Sequence, residues 1–152
     1  MRKFNRAYSL VELILVVLFI GIFAAIAIPR INFAIISKQK VDTVAKKVVT
    51  DLRRTRVLAI TDAANNSDGF ILDMTGSEPY TGYEIINDDT SAVVDTHTFG
   101  SDIGCTGDGR FEFGPLGNLV TGSGTVLKVA SGGRSFTIDI ISATGTVKCA
   151  ED

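Results

Sequence analysis

The stretch Ala7-Tyr8-Ser9-Leu10-Val11-Glu12-Leu13-Ile14-Leu15-Val16-Val17 decides how this chain is read. Before it lies a short basic leader, residues 1–7, carrying Arg2, Lys3 and Arg6; after it the apolar run continues to Pro29 with Glu12 as its one charge. As a helix, residues 8–29 span about 33 Å at roughly 1.5 Å per residue, enough to cross a hydrocarbon core about 30 Å thick. The basic flank predicts that the leader stays cytoplasmic and the rest faces outward. A carboxylate in such a helix costs roughly 2.5–3.5 kcal/mol at the bilayer centre and less near its edge. A plain anchor gains nothing from it, so Glu12 is expected to have a partner. An ordinary secretory signal places its small-residue cleavage site after the apolar stretch. Here the small residue, Ala7, comes before it, and a cut there leaves the whole helix on the mature chain.

Those residues resemble the prepilin signal of type IV pilins and type II secretion pseudopilins. The resemblance implies that a prepilin peptidase cuts between Ala7 and Tyr8 and methylates the new N-terminus at Tyr8. Glu12 then falls at the family's glutamate and Pro29 at its helix-bending proline. Ala7 and Tyr8 depart from the Gly and Phe usual in the family. The resemblance also implies a partner for Glu12, the positive N-terminal amine of a neighbouring subunit. A buried carboxylate paired with an ammonium recovers part of its desolvation cost, so the pair sets register between subunits more than it adds stability.

The chain has 152 residues and a formal net charge of −2, which suits one soluble domain plus an anchor. Its two cysteines, Cys105 and Cys149, lie beyond the anchor in what should be an oxidising compartment, and a disulfide between them is the expectation. It would close a loop of 44 positions, contributing roughly 4 kcal/mol in the chain-entropy description. Two free thiols or a metal site are the alternatives; with one histidine and no CxxC, zinc has little support.

Past Pro29 the pattern stays helical. Val41, Val44, Ala45, Val48, Val49, Leu52 and Ala59 recur at spacings near three and four, while Lys40, Asp42, Lys46, Lys47, Asp51, Arg53, Arg54 and Arg56 fill the other faces. This predicts an amphipathic helix over about residues 31–62, continuing the anchor as one stem bent at Pro29. Residues 62–69 read as its frayed end and a turn. Strands are predicted at 70–74, 82–86, 93–99, 110–113, 125–130, 136–141 and 146–149, with hairpin turns at Ser131-Gly132-Gly133-Arg134 and Ser142-Ala143-Thr144-Gly145. The expected fold is α+β: a long N-terminal helix, apolar over 8–29 and amphipathic over 30–62, packed on a C-terminal antiparallel β head over 63–152, with 30–152 as one globular domain.

Phe111-Glu112-Phe113-Gly114-Pro115-Leu116-Gly117, a hairpin, and a closing Thr144-Gly145-Thr146-Val147 resemble the GspH/FimT group of minor pilins and pseudopilins. This implies a structural subunit that initiates or caps a filament. Its partners would be other pilins or pseudopilins, the prepilin peptidase, an inner-membrane assembly platform and, before assembly, lipid. It would sit in a bacterial inner membrane with a periplasmic head and later join a filament. The alternative is a binding module at a pilus tip, for DNA uptake or adhesion. Some FimT-like pilins bind DNA through a basic C-terminal motif similar to Gly-Arg-x-Arg. Here the matching tail, Gly145-Thr146-Val147-Lys148-Cys149-Ala150-Glu151-Asp152, lacks both arginines. Residues 63–152 hold four basic and thirteen acidic side chains, a net of −9, which repels phosphate. The basic excess lies at 30–62, eight against three, and suggests subunit packing, headgroup contact or a solvated face.

The pattern offers no enzyme and no cofactor. His97 stands alone, no nucleophile elbow is visible, and the glycines at 104–109 and 122–124 read as turns rather than phosphate loops. Asp88-Asp89 and Asn65-Asn66-Ser67-Asp68 are the candidates for calcium, which needs several oxygens in a fixed cage.

Overall fold

The structure, a computed structural model, describes residues 9–27, 33–120 and 124–152, and it divides into two compact units, residues 1–33 and 34–152. The expected bend at Pro29 lies outside the described residues.

In the first unit, α1 runs over Leu10–Ala27. Ser9 starts it: its hydroxyl accepts a hydrogen bond from the Val11 amide at 3.3 Å, as an N-cap should. All but the first residue of α2, Phe33–Thr61, lies in the second unit, close to the predicted bounds. Val41, Ala45, Val48, Leu52, Thr55 and Ala59 form one fully buried stripe at alternating steps of four and three. Thr55 fits this apolar line because its hydroxyl donates to the Asp51 carbonyl of its own helix at 2.7 Å.

That stripe is covered by two antiparallel four-stranded sheets, so the α+β expectation holds for this unit. The strands are β1 Phe70–Thr75, β2 Gly82–Asn87, β3 Ala92–Thr98, β4 Gly104–Gly107, β5 Arg110–Phe113, β6 Val126–Ser131, β7 Arg134–Ile141 and β8 Thr146–Glu151. One sheet has the order β3-β2-β1-β5 and the other β4-β6-β7-β8. Phe70, Leu72, Tyr83, Ile85, Phe111 and Phe113 from the first sheet share one core with Leu127, Val129, Ile138, Ile140 and Val147 from the second. Both predicted hairpin turns form, and Gly132 and Gly133 supply the two positive φ angles, 57° and 76°, that a tight hairpin turn needs.

One element was read differently from sequence. Gly104-Cys105-Thr106-Gly107 looks like a turn but is β4, paired antiparallel with β6. It has no apolar alternation of its own; it is a strand because Cys105 buries itself opposite Val129. The chain then leaves for the other sheet at Gly107, whose φ of 118° and approach to the Val126 carbonyl exclude a side chain: a Cβ there would sit 2.6 Å from that oxygen.

Part of the charge asymmetry between stem and head is met across the helix–sheet contact. Lys40 of α2 pairs with Asp102 at 2.9 Å, Arg54 pairs with Asp95, and Arg53 and Arg56 donate to the backbone oxygens of Val147 (3.2 Å) and Gly117 (2.9 Å). These four side chains clamp the helix to the sheets. Arg54 holds the Asp95 carboxyl below its usual range, and Lys40 does the same for Asp102.

Candidate functional site

Glu12 lies in the first turn of α1 and is exposed. Around it the helix is apolar on every side and uncovered: its large side chains are exposed to between 45% at Leu15 and 75% at Leu10. A helix hydrophobic all round normally lies buried. Among the described residues no helix is long and apolar enough to cross a membrane.

The structure corrects one reading of Glu12. With Ser9 as N-cap, Glu12 is the third helical residue, so Ser9-Leu10-Val11-Glu12 has the spacing of a capping box. A carboxylate there also favours the positive end of the helix by roughly 0.3–1 kcal/mol. An anchor therefore does gain something from Glu12, although no hydrogen bond or ion pair reaches its side chain among the described residues. Ala7, Tyr8 and Pro29 lie outside the described residues.

The expected disulfide is overturned. Cys105 on β4 and Cys149 on β8 are free thiols on the two opposite edge strands of the same sheet. With β6 and β7 between them, three strand spacings of roughly 4.8 Å separate them by about 14 Å, and a disulfide needs Cα atoms within about 7 Å. Sequence distance and compartment were the only guides to pairing, and neither reports strand order. Cys105 is fully buried, and burial pushes its thiol up to about 12; Cys149 is exposed. In the native protein a maleimide is expected to modify Cys149 faster than Cys105 by on the order of 100-fold or more, because the thiolate is the reactive form and burial withholds it. Equal labelling by mass spectrometry would contradict this placement.

The remaining candidates are spent on structure. His97 is half-buried on β3, with its ring 5.3 Å from Tyr83 and 5.9 Å from Phe99. No serine or carboxylate is hydrogen-bonded to it among the described residues. The buried Asn66 side chain accepts from the Asp68 and Gly69 amides (3.0 and 2.7 Å) and donates to the Gly69 carbonyl and Asn87, so its oxygen organises a turn rather than waiting for a cation. Among the described residues, no three His, Cys, Asp or Glu side chains group to hold a metal ion.

The four basic residues of 63–152 all face carboxylates. Arg110 stands within 3.6–3.8 Å of Asp73, Asp88 and Glu112. Lys128 meets Asp152 at 2.7 Å, Arg134 grips Glu151 through two nitrogens, and Lys148 is opposite Asp139 in the β7–β8 register. The acidic tail is pinned as well, since Ser135 and Thr137 also donate to Asp152.

Sequence reasoning missed one buried polar cluster. Asp51, placed on an outer face of the helix, is 3% exposed and accepts from Tyr83 of β2 and from Lys47 of its own helix. Burial, with the Asp51 carboxylate beside it, pushes the Tyr83 hydroxyl well above its usual range and keeps it a donor. A tyrosine alternating inward on a strand opposite an amphipathic helix is the only signal that could have pointed to it.

The chain matches no family model, no curated protein and no solved structure.

Proposed function

We propose that this chain is a minor pilin-like or pseudopilin-like subunit, held in a bacterial inner membrane by its apolar N-terminal run and then built into a thin filament that it initiates or caps. The observation that supports this best is α1, apolar on every side, uncovered, and carrying one carboxylate in its first turn. Lipid can cover such a surface, and so can the equivalent helices of neighbouring subunits. Assembly exchanges one for the other, and Glu12 then meets the positive N-terminus of the next subunit. The second unit supplies a head in which surface ion pairs tie Lys40 and Arg54 of the helix to Asp102 and Asp95.

The capping-box spacing dictates the test. Glutamine can replace glutamate in a capping box but cannot pair with an ammonium. Glu12→Gln and Glu12→Ala are both expected to insert in the membrane at normal levels. Both should lose incorporation into filaments by on the order of 100-fold, since removing one member of a buried ion pair costs roughly 3–5 kcal/mol. If Glu12→Gln incorporates normally while Glu12→Ala does not, Glu12 is only a helix cap and the assembly reading loses its main support.

A further inference from the structure

The second sheet leaves one edge open. Asp152 donates its amide to the Ser135 carbonyl, so with the β7–β8 register residues 146, 148, 150 and 152 turn their backbone groups toward β7. Val147, Cys149 and Glu151 therefore turn theirs outward. Of those outward groups only the Val147 carbonyl has a partner, the Arg53 guanidinium at 3.2 Å, among the described residues. Two of the other three sheet edges are closed by the chain itself, and the third, β3, is exposed but bulged. β5 is covered where Val120 and Gly124 donate to Glu112 and Arg110. β4 is met by the Tyr80 amide, the Tyr80 hydroxyl and Glu78. β3 is kinked by the register shift at Ile85/Ile86, which leaves Val94 as its extra residue. β8 has no bulge, proline or glycine.

Beside β8 lies a groove of about 480 Å³. Ala45, Val49 and Phe136 form its apolar floor, with Lys46, Arg53, Cys149 and Glu151 around it. The side chains of Val147, Cys149 and Glu151 all point to this face, because they stand opposite the inward Ile140, Ile138 and Phe136.

We propose that this edge is a self-pairing surface: β8 of one copy adds antiparallel to β8 of a second copy, about a two-fold axis at Cys149. The pairing is self-complementary in backbone and in charge. Centred on Cys149, it sets Val147 of each copy opposite Glu151 of the other, and all three outward residues exchange both backbone bonds. It brings each copy's Glu151, which Arg134 of its own chain holds through two nitrogens, to the other's Val147, where Arg53 already reaches the backbone, so Arg53 joins that ion pair on both sides of the axis. Lys148, opposite the other copy's Ala150, has that copy's Asp152 on one diagonal and its Lys148 on the other. The two Cys149 residues become a directly opposed, hydrogen-bonded pair with Cα atoms about 5.5 Å apart, within reach of a disulfide. This surface belongs to the β head and does not depend on the role proposed for α1.

The experiment is oxidative trapping of the full chain in mild detergent with diamide. Diamide takes two electrons and two protons from the paired thiols and is reduced to the hydrazine. The expected product is a dimer linked Cys149 to Cys149, identified by non-reducing electrophoresis and peptide mass mapping. Arg53→Glu or Glu151→Arg alone should lower its initial rate by tenfold or more, and the two together should restore it. No Cys149-linked dimer, or a dimer whose rate ignores both charge reversals, overturns the proposal. The latter result would assign the encounter to α1, so failure here leaves the assembly reading untouched, and failure of Glu12→Gln to impair incorporation leaves this surface untouched.

Discussion

Gly145→Ala should unfold or nearly unfold the head, by on the order of 3–5 kcal/mol. Two penalties act together. Gly145 closes the β7–β8 turn at a φ of 64°, a region that costs an L-residue roughly 1–2 kcal/mol. A Cβ there would also lie 2.0 Å from the Gly117 carbonyl oxygen, far inside contact distance. That oxygen cannot retreat, because it accepts the Arg56 guanidinium of α2 at 2.9 Å. Three segments distant in sequence thus converge on one point: the end of the helix, the Gly114-Pro115-Leu116-Gly117 turn and the Thr144-Gly145 turn. Gly133→Ala is the control. Its φ is 76°, but no atom lies within 4 Å of its added Cβ, so only the backbone strain remains, about 1 kcal/mol. Urea denaturation of the full chain in mild detergent, followed by far-ultraviolet circular dichroism, measures both. Equal losses for the two variants would show that the close approach at Gly145 is not what requires glycine.

Tyr83→Phe should cost roughly 1–3 kcal/mol although it removes a single oxygen. The hydroxyl is a donor to Asp51, and both residues are buried, at 1% and 3% exposure. Without it, Asp51 keeps only Lys47, whose side chain is 44% exposed and holds the carboxylate at 2.9 Å. A buried carboxylate short of a donor costs more than the bond contributed. The double variant Asp51→Leu with Tyr83→Phe should recover most of the loss, because two apolar side chains leave nothing unsatisfied. If Tyr83→Phe proves neutral in the same denaturation measurement, the cluster contributes nothing to fastening α2 to the first sheet.

Much of the α+β layout was legible because it depends on local pattern. The stripe from Val41 to Ala59 repeats at helical spacing, Phe136-Thr137-Ile138-Asp139-Ile140 alternates as a half-buried strand must, and the glycine turns between β6, β7 and β8 stand where they were expected. What was misread depends on neighbours. β4 has no pattern of its own and exists because β6 offers it a partner. Cys105 and Cys149 look like a pair along the chain and are held apart by the order β4-β6-β7-β8. Asp51 looks like a surface charge on the helix and is buried because Tyr83 comes down on it from the sheet.

By itself, the sequence determined that the chain carries an apolar run bearing a lone carboxylate, followed by an amphipathic helix and a run of short strands, because hydrophobic periodicity and turn chemistry act over a few residues. Only the tertiary structure decided that the strands divide into two sheets over one helix, that Lys40 and Arg54 of that helix pair with carboxylates of the head, that the cysteines stay apart, and that β8 is an unbulged edge left open. Those outcomes rest on strand order and on which groups find partners across long sequence distances. No local pattern encodes them.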